Sequence, residues 1–119
     1  MTVTVITLLK RREAMSRDEF RAYYEASHRR IGERVLAGYA TRYVRRYLTP
    51  IDGEDQACDA DVVMEIDFPD EATRDACFAA MSDPETTAMI AEDEEKLFDR
   101  SRIRTFSVTE AASDLPFVT

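Results

Sequence analysis

Residues 16–36, SRDEFRAYYEASHRRIGERVL, constrain the fold more than any other stretch of the 119-residue chain. Ser16 followed by Glu19 is a capping-box pattern and predicts a helix start. At about 100° per residue, Phe20, Tyr24, Ser27, Ile31 and Val35 fall on one side of that helix, with Arg17, Arg21, Arg29 and Glu33 mostly opposite. His28, the only histidine, lies within the apolar stripe, and Tyr24 stands one turn before it. A polar pair on the buried face of an amphipathic helix needs a partner or a task.

The flanking segments read as strands and further helices. Residues 2–9 alternate and are rich in β-branched side chains, as a half-buried strand should be. Gly38 ends the helix. Residues 39–48 form a second strand, with Tyr43, Arg45 and Tyr47 on one face and Val44, Arg46 and Leu48 on the other. Residues 50–59 are an acidic loop, the one place where a mobile lid fits. In residues 61–68, Val62, Met64, Ile66 and Phe68 share a face opposite Val63, Glu65 and Asp67. Asp70 caps a helix whose expected stripe is Thr73, Ala76, Cys77, Ala80 and Met81, with Phe78 pointing away, either toward a partner or into a wider core. A third helical run from residue 82 to about 99 carries the stripe Thr86, Met89, Ile90, Asp93 and Leu97, leaving Glu92, Glu94 and Glu95 as solvated acids. Residues 102–110 alternate again. Residues 1–110 are therefore read as one domain and residues 111–119 as an extended arm, with apolar Leu115, Phe117 and Val118.

The order β-α-β-β-α-(α)-β is the ferredoxin-like plan, α+β, an antiparallel sheet with helices on one face. Strands 1 and 3 are apolar on both faces, which predicts a homodimer packed sheet on sheet. A net charge of −8 argues against nucleic acid or an anionic membrane as partner. Cys58 and Cys77 form no CxxC or Cys/His cluster, so neither a metal site nor a disulfide framework is expected. The segment TVTVITLL is too short to span a membrane, and the cytoplasm is the expected compartment.

The opening VITLLKRREAMSRDEFRAYYEASH, the RYVRRY of the second strand, DVVMEIDF followed by a helix and SDPE, then AEDEEKLFDRSR and TFSVTE, together resemble the EthD-domain family of the dimeric α/β barrels over about residues 3–110. The resemblance implies a homodimer with a cleft between helices and sheet in each subunit. It sets Phe20, Tyr24, His28 and Asp93 at positions where the family carries recurrent polar and aromatic residues. It does not choose among the chemistries of the superfamily.

Read on their own chemistry, the candidate residues divide as follows. His28 is a base near neutral pH or a packed imidazole. Asp93, an acid on an apolar stripe, either orients His28, or caps a loop or pairs with Arg100 or Arg102. Tyr24 is a hydrogen-bond donor to a substrate oxygen or simply core. Tyr43, Arg45 and Tyr47 hold an oxygen-rich aromatic ligand or build the dimer interface. Phe20 and Glu65 complete the candidate substrate-binding set. No GxGxxG, P-loop, GxSxG or HExxH occurs, so no cofactor is expected. Three readings stand: a cofactor-free lyase or isomerase acting on a small aromatic or carbonyl compound, a non-catalytic ligand-binding or accessory homodimer, and a purely associative homodimer.

Overall fold

The computed structural model describes residues 1–117. Strand β1 (Val3–Leu9) lies inside a four-stranded sheet of order β2-β3-β1-β4, where β2 is Arg42–Tyr47, β3 is Val62–Phe68 and β4 is Arg104–Ser107. β1 pairs antiparallel with β3 and β4, and β2 pairs antiparallel with β3. This is the ferredoxin-like arrangement. The pleat sends Val5, Thr7, Leu9, Val62, Ile66 and Phe68 under the helices, where all are buried. The other face carries Ile6, Leu8, Val44, Val63 and Phe106 beside Glu65, which pairs with Arg42 and Arg46.

The long helical stretch is α1 (Arg17–Tyr23), a π-helical segment (Tyr24–His28) and α2 (Arg29–Leu36) in succession. Ser16 accepts from the Glu19 amide while the Glu19 carboxylate accepts from the Ser16 amide, so the capping box forms as read. Gly38, at φ 86°, turns the chain out of α2 in a conformation that suits glycine. Residues 37–41 are spent in this turn, with the Tyr39 and Ala40 amides both donating to the Leu36 carbonyl. The second strand therefore begins at Arg42, three residues later than expected.

Asp70 and Asp83 cap α3 (Glu71–Met81) and α4 (Pro84–Glu95) by accepting from the Thr73 and Thr86 amides. α3 is held less deeply than its pattern implied. Cys77 is buried, but Ala76 and Ala80 are exposed. Phe78 is partly exposed and meets Phe68 edge-on with centroids 5.9 Å apart. α4 stops at Glu95, short of residue 99. Leu97 and Phe98 leave the helix to pair with the chain after β1, through Arg12 N to Leu97 O at 2.8 Å and Asp99 N to Lys10 O at 2.9 Å. A single 3₁₀ turn, Arg100–Arg102, then delays the last strand to Arg104.

Residues 111–117 have no regular structure, and Leu115 and Phe117 stand exposed. The expectation for Val118 lies outside the described residues. No helix among those described is long and apolar enough to cross a membrane.

Candidate active site

The site is built around Asp93, near the end of α4. Its Oδ1 accepts from Tyr23 Oη at 2.6 Å and Ser27 Oγ at 3.0 Å, and its Oδ2 lies 2.9 Å from His28 Nδ1. The three donors occupy positions i, i+4 and i+5 of one helical stretch. In a regular α-helix the last would swing well off the first. The wider turn of the π segment brings Ser27 and His28 to either side of Tyr23, so all three reach one carboxylate. Burial alone would raise the Asp93 carboxyl. Donation from Tyr23, His28 and Ser27 outweighs it, and the group sits below its ordinary value.

An ionised Asp93 only accepts, so Nδ1 of the neutral imidazole carries the proton and Nε2 bears the lone pair. Among the described residues Nε2 has no hydrogen-bond partner. The ring is clamped edge-on by Tyr24, with centroids 5.3 Å apart, and by Phe98, at 5.2 Å.

His28 lines a cavity of about 100 Å³ between the helices and the sheet. Its apolar wall comes from Ile31, Val35 and Leu36 of α2, Met64 and Ile66 of β3, and Ile90 of α4. Tyr43 and Glu94 supply its other polar groups. A larger concavity, of about 600 Å³, lies against the 48–60 loop and includes none of these residues. His28 lines the small cavity, so the candidate site is taken there.

The structure sorts the remaining candidates. Tyr43 lines the cavity, and Gly32 makes room for it. A Cβ at Gly32 would lie 2.6 Å from Tyr43 Oη and 2.8 Å from Cζ. Tyr24 does not line the cavity. It is fully buried, with its hydroxyl 3.4 Å from Tyr43 Oη and 3.5 Å from Met64 Sδ, and burial raises that hydroxyl well above its usual range. Phe20 is core, packed edge-on against Tyr24, Tyr47 and Phe98. Arg45 and Tyr47 share the helix-facing side of β2 but converge on Glu25. Arg45 Nε and Tyr47 Oη donate to Glu25 Oε2 at 2.7 and 2.6 Å, and Arg45 Nη2 donates to Oε1 at 3.0 Å. Arg45 chiefly, with burial opposing, takes the Glu25 carboxyl down to about 2. Glu65 stands on the opposite face of the sheet between Arg42 and Arg46, because its register puts it there. Asp93 turns to His28, whereas Arg100 pairs with Glu94 and Glu95.

Four positions of the candidate site were not singled out by the sequence reading. Tyr23 was hidden because a 100° wheel cannot see a π turn, and Ser27, though on the stripe, was not read as a donor to Asp93. Gly32 carried a legible signal, since glycine inside a helix costs about 1 kcal/mol against alanine and so implies a close approach. Glu94 was read as solvated and instead lines the cavity.

Compared with known families, residues 12–101 match the EthD domain. Comparison with curated proteins finds no match. Among solved structures, an ethyl tert-butyl ether degradation (EthD) family protein from Bacillus halodurans superposes with a TM-score of 0.65 at 17% identity, over 93% of this chain and 100% of that one. A dimeric ferredoxin-like protein of unknown function from Thermobifida fusca follows at 0.60 and 13% identity, covering 92% of each chain. A dimeric protein of unknown function with a ferredoxin-like fold from Bacteroides fragilis matches at 0.55 and 16%, over 90% and 92%.

Proposed function

The chain belongs to the EthD domain family, and from that premise we propose that it is a cofactor-independent acid/base enzyme, of lyase or isomerase type, acting on a small carbonyl or phenolic compound. The observation that carries this reading is the His28–Asp93 pair at the wall of an apolar cavity. Asp93 fixes the tautomer and stabilises the imidazolium that forms when Nε2 takes a proton. The Tyr43 hydroxyl takes the donor role first considered for Tyr24, and Tyr24 backs it from the core. Low polarity around the pair strengthens each of these interactions.

A second reading has its own support. The cavity is about 100 Å³, whereas ligand sites usually span roughly 300–1,000 Å³. A protein that only sequesters a small molecule, or only associates, fits that volume as well. The test is a panel of small neutral ketones and phenols. Compounds that raise the melting temperature are assayed for turnover with wild type and His28→Ala. The enzyme reading expects His28→Ala to lose about 10²–10⁴-fold in kcat with folding intact. Binding without turnover in either protein selects the non-catalytic reading.

In the same proposal two copies pair through the open sheet face, in the cytoplasm, and residues 111–117 form an arm outside the domain of residues 1–110. Support for pairing comes from Ile6, Leu8, Val63 and Phe106 sharing that face and from the dimeric fold relatives. Phe106→Glu should convert a dimer to monomer in sedimentation. An unchanged mass would remove this part.

A further inference from the structure

α4 ends on four consecutive acids, Glu92, Asp93, Glu94 and Glu95, with no basic residue in its last turn. That is the wrong end of a helix for negative charge, because the exposed carbonyls already carry partial negative charge there. Asp93 is compensated by three donors. Glu95 is exposed and reaches Arg100 at 3.3 Å. Glu94 has neither remedy in full. Its side chain is four-fifths covered, it makes no hydrogen bond among the described residues, and its one cation, Arg100 Nε, lies 3.6 Å away. Yet it lines the cavity that His28 lines.

We propose that Glu94 sets the charge selectivity of this cavity, restricting it to small uncharged ligands with a polar head and excluding carboxylates and phosphates. This rests on the cavity being a ligand site, as argued above. No lysine or arginine lines the cavity. A carboxylate entering it would lose its water, gain no ion pair, and meet a second carboxyl. A neutral amide, ketone or phenol loses far less. It can lay its apolar part against Ile31 and Ile66 and turn its head to His28, Tyr43 and Glu94. The charged and titratable groups around Glu94 are His28 on the π segment, Tyr43 on β2, Asp93 on α4 and Arg100 beyond it. Burial raises the Glu94 carboxyl, against the pull of His28 and Arg100.

The single histidine makes the test direct, since its ring resonances report this cavity alone. The probes are isobutyramide and isobutyrate, which match in shape and differ in charge, titrated into the full chain at neutral pH while His28 is followed by NMR. In wild type the amide should shift the His28 signals saturably and bind at least about tenfold tighter than the carboxylate; in Glu94→Gln that ratio should fall to about threefold or less. Equal binding of both probes to wild type overturns the assignment to Glu94 and leaves the cavity reading standing, whether or not the variant folds. A ratio unchanged in folded Glu94→Gln overturns it too. If neither probe moves His28, the cavity is not a ligand site and both readings fall.

Discussion

Two clusters fill the space between helices and sheet, and they are built on different principles. The first, around Leu9, Phe20, Tyr24, Val62, Leu97 and Phe98, is dominated by rings that meet edge to face at 5.6–6.1 Å. The second, around Val5, Leu36, Ile66, Phe68 and Cys77, uses smaller and more flexible side chains, with Met81 and Tyr43 at its margin. Met64 touches both. The described cavity lined by His28 lies on the second side. His28 stands at the seam, its ring gripped by Tyr24 and Phe98 of the first cluster while it lines the void beside the second. The lesson is a division of labour. Interlocked aromatic rings make a stiff mount, and aliphatic side chains that do not fill their space leave room for an occupant.

The sharpest way to break this contrast is to remove a ring from the mount. Tyr24→Ala should cost about 3–5 kcal/mol in denaturant unfolding, because a fully buried aromatic leaves a void that its neighbours cannot close. A cost below about 1 kcal/mol would mean that the first cluster is as loosely packed as the second. Next comes the anchor at the seam. Asp93→Ala strands three donors, the buried His28 and the half-buried Tyr23 and Ser27, and should cost about 3 kcal/mol, whereas Asp93→Asn, which keeps an acceptor, should cost less. Equal costs would show that shape, not hydrogen bonding, holds the helix to α4.

Gly32→Ala tests the looser side. Alanine is the better helix former by about 1 kcal/mol, yet its Cβ would press on Tyr43. We expect a net loss of about 1 kcal/mol by thermal unfolding and weaker binding of any cavity ligand. A gain in stability would mean that Tyr43 moves aside freely. The smallest effect is electrostatic. Glu25 and Asp93 both have lowered carboxyls, so the stability they lend is present above their ordinary values and drains away on acidification. For Glu25 the window runs from 4.5 down to about 2. Glu25→Gln should flatten the acid limb of stability against pH, by under about 1 kcal/mol, because the group is more than a third exposed and water screens it. Glu94 runs the other way, its contribution being lost as pH rises through its raised value.

The architecture was legible because its signals are local. β-branched alternation marks β1, the Ser16–Glu19 box opens α1, and Asp70 and Asp83 open α3 and α4, each acting within a few residues. The neighbourhood of His28 and Asp93 was legible in outline, since two polar groups on apolar stripes must find each other or another partner. The rest depends on details that a helical wheel averages away. One inserted π turn decides that Tyr23 joins Ser27 and His28 on Asp93. Strand register decides that Glu65 is on the far face while Tyr43 reaches the cavity. The path after Glu95, where Leu97 and Phe98 leave the helix to cover His28 and Phe20, follows from pairing with residues 10–12 and cannot be read from residues 95–98 alone.

The four residues of β4 carry a consequence for crowded solutions. A sheet propagates when a long, flat outer strand offers its unpaired amides and carbonyls to another chain. Here one border is too brief to template such growth, and the other, β2, sets the long charged side chains of Arg42, Arg45 and Arg46 along six residues, a border ill-suited to pairing. Growth into ribbons and fibrils by edge-to-edge pairing is thereby disfavoured.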